Sequence, residues 1–295
     1  INLEDIAMPK CFRILRELQD DCPIPVWHDD QQGTGTVLLA GLINALQVVG
    51  KQMGQVRIAM VGMGAANVPT YRFLTVCGAD PSRIVACDAG GILGTHRREY
   101  EQDPAFSEQW NVCLHTNPTG LRGGIAEALQ GADVCVAFSA GGIIKPEWVK
   151  GMARDAIVFA CANPVPEIWP WDAKDAGARI VATGRSDFPN QVNNALCFPY
   201  IFRGALDVGA TTINEDMKLA CVHAIAELAR KEASDLGSAY SGETPTFGPE
   251  YLIPRPFDPR LLISLAPAVA QAAILSGVAT RPLPDITLYR EKLSQ

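Results

Sequence analysis

Val56-Arg57-Ile58-Ala59-Met60-Val61-Gly62-Met63-Gly64-Ala65-Ala66-Asn67 is the stretch that decides the fold. Val56–Val61 reads as a buried strand. It runs into Gly-x-Gly-x-x-Asn and then into a helix expected over Ala65–Cys77. The first glycine permits a tight turn. The second lets a pyrophosphate approach the backbone at a helix N-terminus, whose amides and dipole favour negative charge. A Gly-x-Gly pair means little alone and gains weight between a strand and a helix. Gly62, Gly64, Ala65, Ala66 and Asn67 are therefore candidate cofactor-binding residues, with Asn67 a departure at the third glycine position.

The next strand, Arg83–Cys87, runs into Asp88, where a carboxylate accepts both ribose hydroxyls of NAD. Asp88 lies further along than the usual ~20 residues, a distance that the longer helix and the Ala79–Ser82 turn absorb. No Arg or Lys adjoins Asp88 in sequence, and Arg97 and Arg98 come nearest, so NAD is expected ahead of NADP.

Outward from this centre, strands and helices alternate. Strands are expected at Val134–Phe138, Ala156–Cys161 and Arg179–Thr183, with helices at Ile125–Leu129, Lys145–Met152 and Asp172–Ala176. Ser139, just past the Val134–Phe138 strand, joins the cofactor-binding candidates. Near-continuous apolar strands alternating with helices imply an α/β, doubly wound (Rossmann) parallel sheet. In front of it lie a helix at Lys10–Cys22, a short strand at Ile24–Trp27 and a long helix at Gly33–Gly50. Behind it come helices at Asp216–Lys231, with Thr212 and Glu215 spaced as a capping box, and at Pro259–Ser276, separated by a polar loop over Gly237–Pro249.

The chain has 295 residues, 25 Lys+Arg against 32 Asp+Glu, a net charge of −7 and 48% hydrophobic residues. That composition excludes disorder, and its acidic balance argues against nucleic-acid or anionic-membrane partners. The long apolar runs are interrupted by Gly, Asn, Gln, Ser or Pro and do not read as membrane spans. Nine scattered cysteines without a C-x-x-C pair read as free buried thiols of a reducing, cytoplasmic setting.

Two acidic pairs stand at element junctions: Glu4-Asp5 before the first helix and Asp29-Asp30 after the first strand. Singly, an Asp before a helix is an N-cap. Carboxylates facing one point repel unless a divalent cation sits between them, and oxygen-only donors suit Mg²⁺ or Mn²⁺. His28, beside the pair, reads as structural or as a support behind the ligands, since oxygen-donor sites rarely want imidazole.

Leu3-Glu4-Asp5-Ile6, Val26–Thr34 (VWHDDQQGT), the Gly62–Asn67 loop, Ala162-Asn163-Pro164, Ala182–Asn194 (ATGRSDFPNQVNN) and Phe202–Asp207 (FRGALD) together resemble malic enzyme, most closely the bacterial and archaeal malate oxidoreductases. The match runs through essentially the whole chain in order, with Gln32 where many relatives carry His. The resemblance implies oxidative decarboxylation of L-malate to pyruvate and CO₂, with NAD(P)⁺ reduced and Mg²⁺ or Mn²⁺ required. It implies metal ligands at Glu4, Asp5 and Asp30, a supporting carboxylate at Asp29, and substrate-binding amides at Asn163 and Asn194. Asn163, at the end of a strand, also falls in the crevice where such sheets hold ligands.

In that family the proton-transfer Lys and Tyr come from a segment preceding the Leu3–Ile6 motif, and no residue here matches them. The chain opens at Ile1 without Met, so it is expected to be a catalytically incomplete piece of a homo-oligomeric enzyme. On this reading residues 31–194 form the dinucleotide domain. Residues 1–30 and 195–295 are the helical remnant of a second, substrate domain with apolar surface exposed. A non-catalytic NAD-binding module and an amino-acid dehydrogenase are the competing readings, and metal dependence separates them.

Overall fold

A computed structural model describes residues 1–231 and 245–295. Eight strands lie at Asn2–Leu3 (β1), Trp27–His28 (β2), Ile58–Val61 (β3), Ile84–Asp88 (β4), Gly91–Ile92 (β5), Val134–Ala137 (β6), Ile157–Ala160 (β7) and Ile180–Thr183 (β8). Twelve α-helices are described, at Lys10–Asp21 (α1), Thr34–Val49 (α2), Asn67–Val76 (α3), Arg98–Gln102 (α4), Ser107–His115 (α5), Ile125–Leu129 (α6), Pro146–Val149 (α7), Pro170–Asp175 (α8), Phe198–Asp207 (α9), Glu215–Arg230 (α10), Arg260–Leu275 (α11) and Ile286–Leu293 (α12). A π-helical turn, Asp29–Gly33, leads into α2, and a 3-10 turn, Asn194–Leu196, leads toward α9.

β3 to β8 form one sheet in the order β5-β4-β3-β6-β7-β8, parallel except for the antiparallel edge strand β5. The chain winds outward from β3 to β4, then returns past β3 to β6, so the winding reverses between β3 and β6. Register aligns Val61 with Cys87 and Ala137, Ala137 with Ala160, and Ala160 with Thr183. All five strand ends therefore open onto one edge.

Side chains alternate between two faces, as a strand's period of two requires. Ile58, Met60, Ile84, Val134, Val136, Ile157, Phe159 and Ile180 point into the larger core, shared with α2, α3, α9, α10 and α11. Ala59, Val61, Cys87, Cys135, Val158 and Val181 point into a smaller core with α6, α7 and α8. The larger core is continuous from the sheet to the C-terminal helices.

Asp29–Val49 is long and apolar enough to cross a bilayer by length and composition, yet 72% of its most apolar window is buried within the protein. A helix that is hydrophobic all round belongs to a core. Leu38, Leu39, Leu42 and Ala45 are fully buried, and Asn44 in α2 donates to the carbonyls of Ala226 and Leu252.

Three expectations need correction. The first strand lies at Trp27–His28, not Ile24–Trp27: Trp27 N–H donates to Ile1 O, and before it only Pro25 O takes part, accepting from the Ile1 amine at 2.7 Å, while Pro23 and Pro25 have no N–H to offer a ladder. The cap of α10 is Asn214, whose side chain accepts from Met217 N–H at 3.1 Å, so no Thr212–Glu215 box forms. Strand β1, edge strand β5 and helices α4, α5, α9 and α12 were not foreseen. The polar loop expected over Gly237–Pro249 lies outside the described residues up to position 244.

Seven of the eleven large apolar side chains left exposed among the described residues lie in segments 1–30 and 195–295, led by Phe257 (86%) and Leu275 (79%). All nine cysteines are free and seven are buried.

Candidate functional site

The acidic corner is built by the smallest possible parallel sheet. Asn2 pairs with Trp27 and Leu3 with His28, which brings Glu4-Asp5 alongside Asp29-Asp30. Asp5 takes a left-handed conformation (φ 58°), which Asp tolerates better than most residues. Its backbone N–H donates to Asp30 Oδ2 at 2.8 Å. Asp29, 4% exposed, accepts from Trp27 Nε1 at 3.3 Å and from Asn194 Nδ2 at 2.7 Å. Burial pushes its carboxyl up to about 6; the indole N–H opposes that, and the charges of Glu4 and Asp30 add to it. Gly33 is required here, since a Cβ would stand 2.2 Å from Asp29 Oδ1.

Neither ring nitrogen of the fully buried His28 has a hydrogen-bond partner; Nδ1 stands 3.7 Å from Asp30 Oδ2, and burial lowers its pKa. Gln32 takes the His28 backbone N–H on its side-chain oxygen, a fold role for that position.

The strand pairing thus sets the sequence-predicted ligands Glu4 and Asp5 alongside Asp30. Among the described residues, however, no three Asp, Glu, His or Cys side chains converge as a metal-holding group. Asp5 presents its N–H, rather than its carboxylate, to Asp30. The donor chemistry still suits a hard dication, because the crowded carboxylate charge is what such an ion relieves.

The glycine loop opens at the end of β3. Gly62 has φ 85°, and a Cβ there would stand 2.4 Å from Phe138 O, so space and backbone both demand glycine. At Gly64 an added Cβ would meet nothing within 4 Å, leaving open room above the turn. Ala65 and Ala66 are partly exposed beside it. Asn67 differs from expectation. It is fully buried and donates from Nδ2 to Val61 O, Gly62 O and Val136 O. Its side chain fastens the turn to β3 and β6 and does not face the crevice.

Asp88 closes β4 and accepts from Gly90 N–H at 2.8 Å and Arg97 Nη1 at 2.9 Å, with the Tyr100 hydroxyl also donating to it. The guanidinium of Arg97 lies 5.0 Å from the Tyr100 ring centre. Arg97 therefore does reach Asp88, whereas Arg98 pairs with Glu101. Tyr100 escaped notice because only the folded α4 brings it back to β4.

Ser139 and Asn163, both exposed, stand beyond β6 and β7. Arg185 Nη1 donates to Pro164 O at 2.5 Å, steadying the segment after Asn163. Between these loops lies a residue the sequence reading missed: Glu167, fully buried, accepting from Ser139 N–H at 2.6 Å and Ala162 N–H at 2.9 Å. An acidic residue inside the run Val165-Pro166-Glu167-Ile168-Trp169 was the available signal.

The π-helical turn packs against α2, α3 and the 3-10 turn bearing Asn194, and with Gln191 bridging Thr183 and Asn194 donating to Asp29 the acidic corner is tied to the end of β8. Residues 31–242 match the family described as malic enzyme, NAD binding domain. The chain is 48% identical to the NAD-dependent malic enzyme of Rhizobium meliloti (strain 1021), covering 100% of this chain and 38% of that protein. It is equally 48% identical, with the same coverages, to the NADP-dependent malic enzyme of Escherichia coli (strain K12). The crystal structure of Entamoeba histolytica malic enzyme superposes with a TM-score of 0.91 at 44% identity, covering 100% of this chain and 58% of that one. This chain spans 38% of the length of the two curated relatives. With residues 31–242, most of its length, matched by that family, the chain belongs to the malic enzyme NAD-binding domain family.

Proposed function

We propose that this chain supplies the dinucleotide crevice and carboxylate corner of an enzyme that oxidatively decarboxylates L-malate to pyruvate and CO₂. The observation that carries the reading is the Asn194–Asp29 hydrogen bond of 2.7 Å, which holds the acidic corner against the edge where the strands end. On this reading residues 31–194 form the dinucleotide unit, and residues 1–30 and 195–295 serve the substrate and metal.

When bound at Glu4, Asp5 and Asp30, Mg²⁺ or Mn²⁺ would supply Lewis-acid polarisation of malate's oxygens, and NAD⁺ would accept its hydride. The chain's own residues bind and orient. The turn at Gly62, Gly64, Ala65 and Ala66 cradles the pyrophosphate. Asp88 accepts the ribose hydroxyls, and Ser139 lines the cofactor path. Asn163 can donate to a malate carboxylate and accept from its hydroxyl, and Asn194 fixes Asp29 while bordering the same space. NAD stands ahead of NADP, because the Asp88 carboxylate opposes a 2′-phosphate. Arg97, paired with Asp88, limits that discrimination.

The family's proton-transfer Lys and Tyr have no counterpart in this sequence, so we propose that the chain alone binds dinucleotide without turning malate over. Its free thiols fit a cytoplasmic setting, and its exposed apolar side chains fit a larger homo-oligomeric enzyme. The test is an assay of the purified 31.7 kDa chain with malate, NAD⁺ and Mn²⁺, beside titrations with NADH and NADPH. NADH binding, tighter than NADPH binding and without turnover, is the expected result. Turnover at that mass would place proton transfer within this chain. Absence of NADH binding would overturn the dinucleotide reading.

A further inference from the structure

Glu167 has no role in the function proposed above. It lies after β7, fully buried, and both carboxylate oxygens are used: Oε1 accepts from Ser139 N–H at 2.6 Å and Oε2 from Ala162 N–H at 2.9 Å. One amide belongs to the loop leaving β6, the other to the segment leaving β7 that carries Asn163. Further from the crevice the same two loops are already joined by backbone bonds, Gly142 N–H to Pro166 O and Ile144 N–H to Glu167 O, each 2.9 Å. The carboxylate is therefore not needed to hold the loops together. What it adds is their spacing at the crevice end.

That spacing bears on one half of the ligand. In a doubly wound sheet the dinucleotide lies across the point where winding reverses, here between β3 and β6. Asp88 on β4 marks the adenosine side and the Gly62 turn the pyrophosphate. The other half lies over β6 and β7.

We propose that Glu167 is a positioning residue for the nicotinamide half of the dinucleotide, gripping the Ser139 and Ala162 amides so that both crevice loops hold one separation. The proposal rests on the dinucleotide reading above. It requires the ionised carboxylate, which alone offers two acceptors. Burial raises the pKa of Glu167 and the two amides oppose that rise. The titratable groups facing it are the buried thiols of Cys135 on β6 and Cys161 beyond β7, both pushed well above the usual thiol range by burial.

Glu167→Gln keeps one acceptor oxygen and sets an NH₂ donor against the other amide. NADH and ADP-ribose titrations of the unaltered chain and E167Q, with thermal melts of each, test the proposal. ADP-ribose has the adenosine and pyrophosphate but no nicotinamide. E167Q is expected to bind NADH about tenfold more weakly, the size of one lost charge-assisted hydrogen bond, while ADP-ribose affinity stays within about twofold. A merely structural role would weaken both ligands alike, and that outcome overturns the proposal, as does unchanged NADH affinity. Glu167→Asp keeps the charge but shortens the arm, so it should show the same split. If neither variant reaches the wild-type melting transition, Glu167 is a fold determinant and the proposal fails. If the unaltered chain binds neither ligand, the dinucleotide reading itself falls.

Discussion

Gly62 combines a positive φ with a wall 2.4 Å from where a Cβ would stand. Gly62→Ala is expected to lose about 2–4 kcal/mol of stability from backbone strain plus overpacking, and to lose NADH binding with it. Thermal melts and a fluorescence titration measure the two losses; a variant that melts and binds like the parent refutes the turn assignment. At the acidic corner, Asp30→Ala should weaken Mn²⁺ binding about tenfold or more, read by electron paramagnetic resonance of free Mn²⁺. Unchanged affinity would remove Asp30 from the proposed ligands. Residues whose place follows from their neighbours in sequence were legible: Gly62 turns just after its strand, and Asp88 ends the next. Residues whose role depends on where a side chain turns were not. Asn67 occupies the expected position yet points into the fold, and Tyr100 reaches Asp88 only because α4 returns beside β4.

Helix α10 separates two readings of one start signal. Thr212 has the right chemistry two residues too early, whereas Asn214 directly precedes Glu215 and reaches Met217 N–H. Asn214→Ala is expected to cost about 1 kcal/mol, and Thr212→Ala less than about 0.5 kcal/mol. Chemical denaturation of the two variants decides between them, and the reverse order would restore the capping box. Among elements, the parallel strands were legible to within one or two residues because both faces of each are buried, which makes their sequences continuously apolar. The pair β1–β2 was not, since two residues carry no periodicity. Helix α5 (SEQWNVCLH) has no clear apolar stripe, whereas α9 carries one that the sequence reading passed over.

The sheet, its two covered faces and the crevice at its strand ends follow from alternation along the chain, and that much of the whole molecule was legible. The continuity of the larger core was not, because it depends on which face of α2 meets α10 and on α11 packing against α10 and α9 in turn. With one core spanning the sheet and the C-terminal helices, urea unfolding is expected to be a single transition, coincident by circular dichroism and tryptophan fluorescence. Two separated transitions would show that residues 195–295 open independently. The cysteines give the same question a finer clock. Cys22 and Cys77 are half-buried, five thiols lie in the larger core (Cys11, Cys113, Cys161, Cys197 and Cys221), and two lie in the smaller (Cys87 and Cys135). A timed pulse of alkylating reagent, read by mass spectrometry, would stamp each molecule with the layers it had exposed. The chain thus carries its own set of reporters for the order in which the two sides of its sheet come apart.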